Sequence, residues 1–149
     1  MCTQLYTFGA GLFYLTLGIL GLFPRFVYAP PARPEYMRLL LVNADYGYLL
    51  DFLPTNLTHD VLYILIGVPA ILASVFYPTA RLYCKGLFAI AAMMTIAGII
   101  PLLDQVFGLM PLFAWNIPLN AVVAVTAWYF GFIDPIYVRG SNASQTLAV

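Results

Sequence analysis

Charge is scarce in this sequence. Six lysines and arginines and six aspartates and glutamates occur among 149 residues, so 8% of the chain is charged against 63% hydrophobic, a balance far from that of a soluble globular domain. The zero net charge and scattered basic residues leave no basic face for a nucleic acid, and none is expected as a partner. Two cysteines, Cys2 and Cys84, are too few and too differently placed for a disulfide framework or a metal site. Phosphate-binding glycine loops, nucleophile elbows and paired metal-ligand motifs are missing as well. The expectation is therefore a non-enzyme with no catalytic residue and no metal.

What is present is apolar length. A bilayer core about 30 Å thick takes roughly 20 mostly apolar helical residues to cross, because only a helix or a closed barrel satisfies its own backbone there. Four stretches qualify, over residues 5–23, 58–76, 86–103 and 118–133, and none contains lysine or arginine. Barrel strands would alternate apolar and polar over about ten residues, whereas these runs are apolar on both parities. The first run lacks a basic region before it and a small-residue cleavage site after it, so it reads as a retained helix rather than a secretory signal. The expected fold is all-α: a four-transmembrane-helix bundle forming one membrane domain over residues 1–139, with a polar, disordered tail at 140–149.

Pro24, Pro30, Pro31 and Pro34 end the first helix and stiffen an extended connection. Residues 36–53 turn apolar again but carry Arg38, Asp45 and Asp51, which suits a segment lying at the interface rather than a fifth crossing. Tyr36, Tyr46 and Tyr48 fit that depth, each with an apolar ring and a polar tip; an ordered loop packed on the bundle is the plainer reading. Asn56 and Asn116 open the even-numbered helices alike, and Pro24 and Pro101 follow the odd-numbered ones, as two duplicated helical hairpins would have it. Small residues spaced for close helix contact recur: Gly11 and Gly18, Ala70 and Ser74, Ala127 and Gly131. Pro69 is expected to kink the second helix, with Ser74 or neighbouring helices satisfying the freed groups.

One corner carries chemistry. His59, the sole histidine, stands with Asn56 and Asp60 at the mouth of the second helix, and Tyr63 follows four residues on, on the same face. Neutral imidazole can ligate haem iron or a chlorophyll magnesium, with Asn56 or Asp60 orienting it. The same residues also read as a helix start, Asn56 or Thr58 capping and Asp60 favoured by the helix dipole. Asp60, Asp104 and Asp134 fall near segment ends where water is expected to reach them, so no intramembrane charge pathway is expected.

The run from Gly47 through Asn56, His59 and Asp60 to Gly67, then Ala80 to Leu87, Gly98 to Pro101, Phe107 to Pro111 and Tyr129 to Phe132, resembles a bacterial domain-of-unknown-function family of small four-helix integral membrane proteins, in the versions common in cyanobacteria. The resemblance covers about the last two-thirds of the domain. It implies histidines at the position of His59, again four residues later, and at the start of the last helix. Tyr63 and Asn120 stand at the second and third of these, so the resemblance leaves a single ligand at His59 and no multi-histidine site.

The leading functional expectation is an accessory or structural subunit packed against other integral membrane subunits and lipids of a larger, photosynthetic complex, with Trp115 and Trp128 among its contact aromatics. The alternative is a protein binding chlorophyll, carotenoid, haem or lipid, in which His59 is the ligand with Asn56 and Tyr63 beside it. A small transporter or stress-related membrane factor ranks last. The expected location is a bacterial inner (cytoplasmic) or thylakoid membrane, with both termini cytoplasmic, from the acid-free loop holding Arg81 and Lys85.

Overall fold

The computed structural model describes residues 2–28, 46–101, 103–104, 106 and 109–134. Among them lie four α-helices: α1 (Cys2–Gly21), α2 (Leu57–Ala73), α3 (Tyr77–Ile99) and α4 (Asn116–Trp128). A wider π-helical turn at Tyr129–Ile133 prolongs α4, and the Asp134 amide donates to the Tyr129 carbonyl to close it. Three helical stretches, Cys2–Gly21, Tyr77–Ile99 and Asn116–Ile133, are long and apolar enough to cross a membrane; α2, at 17 residues, is shorter.

The chain is not all-α. A three-stranded antiparallel sheet joins β1 (Val27–Tyr28), β2 (Gly47–Leu49) and β3 (Leu53–Thr55) in sequence order. Val27 faces Leu49 across one pair, and Gly47, Tyr48 and Leu49 face Thr55, Pro54 and Leu53 across the other. β3 is an edge strand, which lets it carry Pro54, a residue with no amide hydrogen for a ladder. Part of the expected interfacial segment 36–53 is thus a hairpin. Apolar runs of three residues are too short to announce a strand. Residues 36–45 of that segment, with Tyr36, Arg38 and Asp45, lie outside the described residues, as do Pro30, Pro31, Pro34, Arg139 and the 140–149 tail.

The third helix also starts earlier than the apolar run, at Tyr77 rather than residue 86. Pro78 sits in its first turn, where a fixed φ and a missing amide hydrogen are tolerated. Two cations inside the helix had made its first turns look like a loop, and both are taken up by the end of α4. Arg81 donates to the carbonyls of Gly131 at 3.0 Å and Phe132 at 3.1 Å, and the Lys85 ammonium lies 5.3 Å from the centre of the Phe132 ring.

Helix pairing is tightest between α1 and α2 and between α3 and α4. Gly67 is decisive for the first pair. A Cβ on it would lie 2.6 Å from the Leu15 amide nitrogen and 2.8 Å from the Gly11 carbonyl, so the backbones of α1 and α2 touch there. Gly11 in turn faces Ala70 and Ile71, and Gly18 faces the Asp60 carbonyl and Ile64. On the other pair Gly131 lies against Lys85 and Cys84, and Ala127 is fully buried. Ala70 is likewise buried, while Ser74 is half-buried and donates to its own helix at Ile71.

Pro69 removes a donor from the α2 ladder. The carbonyl left without its helical donor is that of Leu65; one residue on, the Tyr83 hydroxyl of α3 donates to the Ile66 carbonyl. Further cross-links tie the ends. Gln4 donates to the carbonyls of Ser74 and Val75, Thr3 donates to Asp134, and Tyr6 shares a 2.9 Å hydrogen bond with Thr126. The start of α1, the end of α2 and the end of α4 therefore meet at one end of the molecule, and the sheet lies at the other.

Candidate functional site

At the sheet end the interior is polar. Thr55, His59, Asp60, Asn116 and Asn120 are all buried, around a fully buried Tyr63. β3, α2 and α4 each contribute, so the site exists only once the sheet has closed over the helices.

Its local origin is the start of α2. Asn56 has extended backbone and its side-chain oxygen accepts from the His59 amide at 2.9 Å, which makes it the N-cap; its side-chain nitrogen donates to the Leu109 carbonyl at 2.8 Å. Both ends of that amide are committed to structure, so Asn56 does not orient the imidazole. The resemblance between the two even-numbered helix starts ends here too. Asn116 is already inside α4, and its cap residue, Trp115, makes no side-chain capping bond.

Asn116 instead holds the site together. Its side-chain nitrogen donates to the carbonyls of Pro54 and Pro111, each at 2.7 Å, and its oxygen accepts from the Tyr63 hydroxyl at 3.2 Å. One side chain thereby joins β3, the segment before α4, and α2. Tyr63 is sandwiched further: its ring centre lies 4.3 Å from that of His59 and 5.3 Å from that of Tyr14 on α1.

Asp60 corrects an expectation. Its place near a segment end predicts access to water, yet it is only 2% exposed. The Thr55 hydroxyl donates to its carboxylate, and Gly21 at the end of α1 packs so closely on it that no side chain fits there. The first turn of α2 lies beneath β3 and against α1, and neither neighbour is adjacent in the sequence. Asp134, by contrast, is half-buried and receives Thr3. Asp104, in the connection before α4, has its carboxyl pushed above the ordinary value by partial burial.

Two side chains in the site lack protein partners. Both ring nitrogens of His59, and both the oxygen and nitrogen of the Asn120 amide, are enclosed without a hydrogen bond; the Pro54 carbonyl faces the imidazole but does not reach bonding geometry. A buried polar group without a partner costs about 1–3 kcal/mol, so this is the one place where the interior is not self-sufficient among the described residues.

A prosthetic group tests this arrangement severely. The imidazole is 0% exposed, with the Tyr63 ring tilted against it. A haem or chlorophyll macrocycle bonded to a His59 nitrogen needs an open face beside the ring, and the described side chains leave none. The free nitrogens fit a ligand; the enclosure does not fit one of that size. Among the described residues no group of three or more His, Cys, Asp or Glu comes together as a metal site. Tyr63 does share the His59 face, and Asn120 lies one turn beyond Asn116, the α4 residue that the Tyr63 hydroxyl bonds.

A family model described as Domain of unknown function (DUF4383) matches residues 4–133. The chain belongs to that family. The DUF4383 domain therefore takes in all four described helices and the sheet, apart from the first residues of α1. No curated protein and no solved structure matches the chain.

The sequence offered less of this site than the structure does. Asn116 and Asn120 are two amides one turn apart at the opening of an apolar helix, and that spacing alone places them on one face. Nothing in the residue order joins them to Pro54 or Tyr63.

Proposed function

We propose that this DUF4383 protein is an integral membrane protein crossing the bilayer four times, and that it serves as a non-enzymatic accessory subunit of a larger membrane assembly. The observation that carries the reading is the direction of its chemistry. Thr55, His59, Asp60, Asn116 and Asn120 are drawn inward, while the outer helix faces present Leu5, Leu65, Leu72, Leu82, Met93 and Val125, all exposed. A surface of that kind acts by packing, against lipid and against other helices. Trp115 and Trp128, exposed at opposite ends of α4, suit the two interfaces.

A photosynthetic complex in a cytoplasmic or thylakoid membrane is the first partner to test, the setting that the sequence resemblance implies. Mild-detergent extraction of native membranes, with the absorption spectrum and the masses of co-eluting proteins recorded, decides it. Co-migration with a large assembly is the expected result, and a solitary species would sink the proposal.

A second reading, a pigment-, haem- or lipid-binding protein, has one observation in its favour, the unpartnered nitrogens of His59. Its test is His59→Ala. A chromophore that co-purifies and keeps its spectrum in the variant is not ligated there. The closed packing around the imidazole makes this the weaker reading for any macrocycle.

A further inference from the structure

We propose that His59 and Asn120 together hold one small, uncharged molecule that both donates and accepts hydrogen bonds, namely a water molecule, buried between α2 and α4 beneath the β2–β3 hairpin. Four polar atoms carry the inference: two ring nitrogens on α2 and two amide atoms on α4, all buried and none with a protein partner. One tyrosine links the two helices here. The His59 ring lies tilted against that of Tyr63, the Tyr63 hydroxyl donates to Asn116, and Asn120 lies one helical turn from Asn116 on the same face.

The donor set fixes the chemical class. Neutral imidazole brings one N–H and one lone pair, and an amide brings two N–H groups and an oxygen acceptor. A cation would find no charge pairing in that set, and an anion would find no acceptor-free face. Water has two donors and two acceptors, so a single molecule can bond one ring nitrogen of His59 and one amide atom of Asn120 for either tautomer and either amide orientation. Buried waters characteristically make about three such bonds to groups left unpaired by the protein. The enclosure sets the size. His59 is 0% and Asn120 1% exposed, so the occupant is small and sealed from the surface. β3 supplies the Pro54 carbonyl to the same space, and Leu49 and Leu53 of the hairpin pack in the same cluster as Tyr63.

His59 is the sole histidine, so selective isotope labelling reports on one ring. In detergent micelles, magnetisation transfer from water to the labelled ring protons is expected in the wild-type protein and is expected to vanish in Asn120→Leu. The unfolding midpoints of His59→Phe, Asn120→Leu and the double variant supply the second measurement. A shared water makes the double shift smaller than the sum of the two single shifts. Additive shifts overturn the proposal, because the two residues then have no common partner. Non-additive shifts without water transfer also overturn it, since they mean that the two side chains bond directly. Should a variant not fold, the wild-type transfer experiment decides the question by itself.

Discussion

Replacing Asn116 with leucine is the sharpest test of the interior. The two side chains are close in volume, so the change removes hydrogen bonds without opening a large cavity. Three bonds disappear, those to Pro54 and Pro111 at 2.7 Å each and that from Tyr63 at 3.2 Å. Each net bond of this kind is worth about 1 kcal/mol, and the partners left behind are buried, which raises the loss. Cross-helix bonds in membrane proteins average lower, about 0.6 kcal/mol. The three together should therefore destabilise the fold by about 2–4 kcal/mol. Tyr63→Phe removes one partner of the same node, so on its own it should cost about 1 kcal/mol. In the double variant the stranded hydroxyl is gone, and the two losses should overlap by about 1 kcal/mol. Reversible unfolding in mixed micelles, followed by helical circular dichroism, measures all four corners of the cycle. An Asn116→Leu protein within 0.5 kcal/mol of wild type, or a cycle with no coupling, would refute the claim that Asn116 joins β3, α2 and the segment before α4.

Other perturbations separate the remaining parts of the structure. Gly67→Ala puts a methyl against the α1 backbone at 2.6 Å and should destabilise by more than about 2 kcal/mol, whereas Gly9→Ala, with open space around it, should be neutral or gain about 0.5 kcal/mol; equal effects would mean that α1 and α2 do not touch at Gly67. Tyr83→Phe removes the bond from α3 to the Ile66 carbonyl of α2, with an expected loss of about 1 kcal/mol in the same unfolding assay, and an unchanged midpoint would show that this bond does not tie the two helices. Cys2 is exposed and Cys84 buried, so a bulky maleimide should label the native protein once and the denatured protein twice by mass. With a membrane-impermeant reagent the same single label reports orientation: protection in intact cells and reaction after lysis is the outcome expected for a cytoplasmic N-terminus.

Much of the helical frame is legible in the residue order, because an apolar run of membrane length has few other uses. The limits of that reading lie where one segment answers another. Arg81 and Lys85 look like loop residues until the C-terminal end of α4 is beside them, accepting from the guanidinium and placing Phe132 under the ammonium. The strands are three residues at most, too short for an alternation signal, and β2 turns into β3 through Leu50 and Asp51 at φ 53° and 68°, a left-handed pair that a reader would expect of glycine or asparagine. Asn56 does announce its role, since an asparagine three residues ahead of the amide that it caps is a local pattern. Asn116 cannot, because its partners are 5, 53 and 62 residues away.

The short α2 and the small sheet explain each other. At about 1.5 Å per residue, a 17-residue helix spans about 25 Å, less than the roughly 30 Å of a bilayer core. Its opening turn holds His59 and Asp60. Left to hydrocarbon, its free amides and carboxylate would be prohibitively placed. Here Asn56 caps the turn, Thr55 donates to the carboxylate, and the hairpin bearing Leu49 and Leu53 covers the rest. β3 thus lies against the opening turn of α2 and brings the Pro54 carbonyl to Asn116. The consequence is a buried polar cluster beneath the sheet, and Asn116 is the side chain that ties β3 to α2 and α4.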